Sequence, residues 1–231
     1  MAQLSLATAI KHVNKQGMLL VFPQANSREP ASLWYQFFPR TAMRWEWDSG
    51  GDSRVSDLWF LREKLSTSRK VIYSKWFRGR ATLTSLDLTG ALIRLLNPTF
   101  PRIQGLSFTA QEILDVLNED SPVSTKQLKK LTDLQGKDSE SKYQRALKEL
   151  WSRLLVVVYG EVDEGAFPSI AVGSTQVLFE DVWRQASELN YQDALSTAER
   201  LLPSDSPFDK FLKRQLKQNA AKIQTEVTHE N

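Results

Sequence analysis

SFTAQEILDVLNEDSPVSTKQLKKLTDLQGKDSESKYQRALKELWSRLLVVVYG, residues 107–160, decides the fold. Ser107 precedes a run in which Ile113, Leu114 and Leu117 recur at helical spacing, and Asp120-Ser121-Pro122 stops it. Ser124 or Thr125 caps a short second helix that Gly136 ends. A third helix, over about 139–153, sets Tyr143, Ala146, Leu147, Leu150 and Leu154 on one face. LLVVVYG then reads as a strand, Asp163-Glu164-Gly165 as a turn and FPSIAVGS (167–174) as a return strand. Three helices and a β-hairpin with short connections are the order of a winged helix, whose second and third helices form a helix-turn-helix. A helical bundle with an incidental hairpin is the alternative.

Upstream, Leu4, Leu6, Ala7, Ile10 and Val13 share a helical face until Gly17, and Met18 to Phe22 has the form of a buried strand ended by Pro23. Residues 32–48 are dense in aromatics, the usual mark of core. A helix follows over 54–65. Val71 to Trp76 and Arg80 to Leu83 flank the turn Arg78-Gly79 and predict a β-hairpin, with Val71, Tyr73 and Lys75 on one face and Ile72, Ser74 and Trp76 on the other. Leu86 to Leu96 is a further helix. The stretch NPTFPRIQG (97–105), with two prolines and a glycine, is the best linker candidate.

The expected fold class is therefore α+β. An N-terminal α/β domain with a β-hairpin occupies 1–100, a winged helix 106–176, and a C-terminal helical extension 177–231. That extension carries two amphipathic helices within 177–202 and a basic one after Pro207 whose Phe208, Phe211, Leu212 and Leu216 offer a docking face.

Composition narrows the chemistry. With no cysteine, disulfides, thiolate nucleophiles and Cys-ligated metal sites are excluded. His12 and His229 are the only histidines, too few for a His-rich metal site, so neither metal nor cofactor is expected. No apolar run has the length of a spanning helix and the first residues lack the pattern of a secretory signal, which together predict a cytoplasmic protein without a membrane partner. A net charge of +3 is too mild to identify a polyanion partner by itself, so the placement of charge matters more.

Two regions concentrate cations. Between Arg62 and Arg80 stand Arg62, Lys64, Arg69, Lys70, Lys75, Arg78 and Arg80 against the single acid Glu63, interleaved with Tyr73, Trp76 and Phe77. Cations that track phosphates, alternating with rings that stack on an unpaired base, are the parts of a nucleic-acid groove, with Lys75, Arg78 and Arg80 on the phosphates and Trp76 as the stacking ring. Rings beside Lys and Arg are also commonly core residues flanked by solvated charge. In the helix-turn-helix, Lys142, Arg145 and Lys148 lie on the helix that would enter the major groove, while Lys126, Lys129 and Lys130 are placed to neutralise phosphates. Solvated charge on a protein-binding domain is the plainer explanation. In RWEWD, Glu46 and Asp48 beside Trp45 and Trp47 are candidates for general acid or base work, or are exposed residues of a half-buried strand.

The blocks FPQANSREPASLWYQFFPR (22–40), MRWEWD (43–48), VSDLWFLREKLS (55–66), YSKWFRGRATLTS (73–85) and RALKELWSRLLVVVYGEVDEG (145–165) resemble small bacterial proteins related to AlkZ. The AlkZ family proper are DNA glycosylases, built from tandem winged helices, that excise alkylated or crosslinked bases with a Gln-x-Gln motif positioning the attacking water. No Gln-x-Gln occurs in this chain; the nearest approach is Gln215-Leu216-Lys217-Gln218. The resemblance thus implies a winged-helix fold and DNA as partner but transfers no catalytic residue. The expectation is a DNA-binding protein linked to repair or damaged-base recognition. An active glycosylase-like hydrolase and a winged-helix regulator or protein-interaction module stay open beside it.

Overall fold

A computed structural model describes residues 4–45, 52–162 and 169–229. Most helices begin where a side-chain oxygen accepts an otherwise orphaned backbone N–H. Ser5 accepts from Thr8 to start α1 (Leu6–Gln16), which Gly17 ends at φ 71°. After β1 (Met18–Leu20), Ser32 caps α2 (Leu33–Phe37). Then come α3 (Arg54–Thr67), β2 (Ile72–Ser74), β3 (Thr82–Thr84) and α4 (Leu86–Leu96), the last capped by Ser85.

Further along, Ser107 caps α5 (Phe108–Glu119). A short β4 (Val123–Ser124) runs into α6 (Thr125–Leu131), where Ser124 and Gln127 form a reciprocal capping box. Next stand α7 (Lys137–Ser152), β5 (Val156–Val162) and β6 (Ser169–Ser174). The expected three helices and antiparallel strand pair are present in the expected order, while the turn at Asp163-Glu164-Gly165 lies outside the described residues. The chain closes with α8 (Thr175–Leu178), α9 (Glu180–Glu188), α10 (Tyr191–Leu201) and α11 (Pro207–His229).

These six strands form one antiparallel sheet in the order β1-β3-β2-β5-β6-β4, so the molecule is α+β. Period-two alternation divides its side chains between two cores. Leu19, Val71, Tyr73, Leu83, Val156, Val158 and Val172 pack on one side with α1, α2, α3, α5, α6 and α7. Met18, Leu20, Ile72 and Val157 pack on the other with α4, α9, α10 and α11. Burial on both faces explains why β1 and β5 read as continuous apolar runs rather than as alternating ones.

The sheet takes strands from both sides of the 97–105 stretch, and so does each core. Tyr73 of β2 pairs with Val158 of β5 to make that junction. Among the described residues no helix is long and apolar enough to cross a membrane.

Candidate nucleic-acid interface

The hairpin of β2 and β3 has the register Ile72↔Thr84 and Ser74↔Thr82. Its connecting loop turns through Arg78 (φ 53°) and Gly79 (φ 73°), with Gly79 N–H donating to the Lys75 carbonyl at 3.1 Å and Arg80 N–H to that of Phe77 at 2.9 Å. The turn brings Lys75, Arg78 and Gly79 to a cleft of about 1090 Å³ whose other walls come from α6, α7, β6 and α11.

The cleft is cationic. Lys75 and Arg78 from the hairpin, Lys129 from α6, Lys148 from α7, Arg153 just after it and Arg214 from α11 all line it. Among the described residues no Asp or Glu is in its lining. A concave, carboxylate-free wall concentrates positive potential more than the same charges spread over a convex surface. Glu140, outside that lining, takes part of the charge of Lys129, in an ion pair of 2.5 Å that also holds its own pKa below the usual carboxylate range.

Each cation is held differently. Arg153 is fixed by Asn97 Oδ1 and the Gln104 carbonyl, both at 2.8 Å. Arg78 lies 5.1 Å from the ring centroid of Phe77, and Arg214 lies 5.2 Å from that of Phe211. Lys75 is half-buried; its burial first, and the charge of Arg62 second, pull its pKa below that of an ordinary lysine. Beside Lys129, whose Nζ lies 4.9 Å from the ring centroid of Tyr143, burial raises the pKa of that tyrosine.

The remaining candidates are distributed otherwise. Arg80, Lys126, Lys130, Lys142 and Arg145 are exposed and lie outside the lining of this cleft. Trp76 does line it, yet its ring is only 2% exposed and meets Phe211 edge-to-face at 4.9 Å. Tyr73 and Phe77 are buried as well, so the rings interleaved with the cations are core residues. Arg62 is equally withdrawn, paired with Glu161 and 3.4 Å from the Tyr73 hydroxyl. Glu46 and Asp48 lie outside the described residues.

A family profile described as AlkZ related matches residues 4–207. The chain belongs to the AlkZ-related family. Membership ties it to a fold related to DNA repair. No curated protein and no solved structure matches it.

The AlkZ-related chain lacks Gln-x-Gln, but its fold gives Gln215 and Gln218 a place that their position in a tail helix hides: both line the cleft. Gln215 Nε2 donates to the Ser152 carbonyl at 3.2 Å, while its Oε1 is sealed from solvent without a partner among the described residues. Sequence reasoning missed this whole wall. The available signal was the spacing Phe211, Arg214, Gln215, Gln218, which puts a polar seam beside the apolar face of α11.

Proposed function

We propose that this protein binds DNA through the cationic cleft, as a winged-helix protein linked to DNA repair or damaged-base recognition. Residues 106–176 are read as the winged helix, with α6 and α7 as its helix-turn-helix and β5–β6 as its wing. One observation carries the reading: cations remote in sequence, on the hairpin, on α6, on α7 and on α11, meet on one wall without a carboxylate among the described residues. Such a wall suits a chain of phosphates better than a compact neutral ligand.

Titration of a labelled duplex at rising salt tests this. Neutralising several phosphates predicts a slope of log K against log salt of about −3 to −5. A duplex that fails to bind at low salt, or binds with a flat slope, overturns the reading.

Base excision is a second reading, favoured by the two amides one helical turn apart on the cleft wall and by the buried Oε1 of Gln215, which has no partner among the described residues. Its test is product analysis on alkylated and crosslinked oligonucleotides, where absence of any released base removes it.

A further inference from the structure

We propose that Lys75 is an amine nucleophile that forms a Schiff base with the open-chain aldehyde of an abasic deoxyribose held in the cleft. The inference rests on the reading of the cleft as a DNA site.

Among the described residues six cations line the cleft, and their environments leave one suited to carbonyl chemistry. Arg78, Arg153 and Arg214 are guanidiniums that stay protonated and are poor nucleophiles. Lys129 is tied to Glu140, and Lys148 is a solvated surface charge on α7. Lys75 differs from both. It is half-buried where the chain leaves β2, lines the cleft, and has no hydrogen bond or ion pair from its Nζ among the described residues. The buried guanidinium of Arg62, fixed by Glu161 and the Tyr73 hydroxyl, is near enough for its charge to act on Lys75. Removal from water and a neighbouring fixed cation are two ways a protein favours a neutral, nucleophilic lysine, and both act in the same direction here.

The rest of the site indicates which carbonyl. Among the polyanions a cationic cleft draws in, one that carries an aldehyde offers an amine a carbonyl to attack, and loss of a base leaves that group on a sugar flanked by two phosphates. The other cations of the cleft lining would hold those phosphates. Among the residues that line the cleft, Trp76 Nε1–H and Gln215 Oε1 are buried without partners among the described residues, leaving a donor and an acceptor unmet just beneath its wall.

In the reaction, the nitrogen lone pair forms a bond to C1 and the carbonyl π pair moves to oxygen, which takes up a proton. The carbinolamine hydroxyl takes up a further proton and leaves as water, giving the iminium, which returns that proton to solvent on becoming the imine. The net change is amine plus aldehyde to imine plus water, with no oxidant or reductant consumed.

Borohydride reduces such an imine to a stable secondary amine, so the test is to trap the full chain on a duplex with one abasic site and to measure binding to the same duplex in the same buffer. The expected result is a covalent adduct that peptide mass mapping places on Lys75, with Lys75→Arg lowering the yield about tenfold or more. Mapping the wild-type adduct keeps the assignment testable if the variant does not fold. Binding without an adduct overturns this inference and leaves the DNA reading intact, whereas absence of binding removes both. An adduct on another lysine overturns the assignment, and equal trapping of free deoxyribose 5-phosphate overturns DNA as the source of the aldehyde.

Discussion

Arg62 on α3 and Glu161 on β5, 99 positions apart, form an ion pair in which the arginine side chain is 2% exposed and the glutamate 12%. The pair ties a helix that precedes the 97–105 stretch to a strand that follows it. Removing one partner strands a buried charge, which costs more than the intact pair contributes. Glu161→Gln is expected to lower stability by about 3 kcal/mol in urea denaturation. Replacing both residues with apolar ones should cost less than the single change. A drop below about 0.5 kcal/mol would mean the pair is solvated like a surface one.

Gly17 and Gly79 separate two costs of a methyl group. Both have positive φ, 71° and 73°, where an L side chain is strained. At Gly17 a Cβ would also stand 2.5 Å from the Leu201 carbonyl oxygen, whereas at Gly79 nothing lies within 4 Å. Gly79→Ala should cost about 1 kcal/mol from backbone strain alone. Gly17→Ala should cost about 3 kcal/mol or more, because a backbone atom cannot swing aside. Equal thermal shifts for the two variants would show that α10 does not pack this closely on the end of α1.

His12 gives a pH dependence with a definite sign. Its ring meets Phe37 edge-to-face at 5.3 Å and its Nε2 is buried without a partner among the described residues. Burial first, then the charges of Lys15 and Lys11, lower its pKa from the ordinary 6.5. The unfolded chain therefore binds this proton more tightly than the folded one, and stability due to His12 is complete above pH 6.5 and lost as the pH falls through the folded value. His12→Gln should lose less stability than wild type between about pH 7.5 and 5.5 in urea midpoints. Parallel losses in both proteins would rule this residue out as the acid-sensitive group.

The helices were legible because their signals are local. Ser5, Ser85, Ser107 and Ser124 announce their own helices and Gly17 ends α1, whereas α6 stops at Leu131, short of the expected end at Gly136, and that glycine instead precedes α7. The hairpin alternation at 71–76 was legible for the same reason. What the sequence hid is long-range: that β2 pairs with β5, joining strands on either side of a proline-rich stretch with every appearance of a linker. Pairing partners leave no local trace when both faces of a sheet are buried, since the register is then set by two cores at once. The candidate site was half legible. Lys75, Arg78, Lys129 and Lys148 were recognisable as cations, but burial, which separates Arg62 and Trp76 from them, depends on α11 and β5, remote in the chain from both.

The same division yields a test of where DNA lies. Arg78 and Lys148 line the cleft, while Lys126, Lys130, Lys142 and Arg145 are exposed on α6 and α7 outside it. Deleting one cation that meets a phosphate should weaken binding by about three- to tenfold at moderate salt and reduce the salt slope by about one, whatever the sequence of the duplex. Arg78→Ala and Lys148→Ala are therefore expected to act in this way, with Lys126→Ala and Lys130→Ala changing affinity by less than about twofold. Fluorescence anisotropy across a salt series reads both quantities. If Lys142→Ala and Arg145→Ala cost more than the cleft variants and do so only on particular sequences, the outer face of α7 reads bases in a major groove, and the cleft is not the path of the DNA.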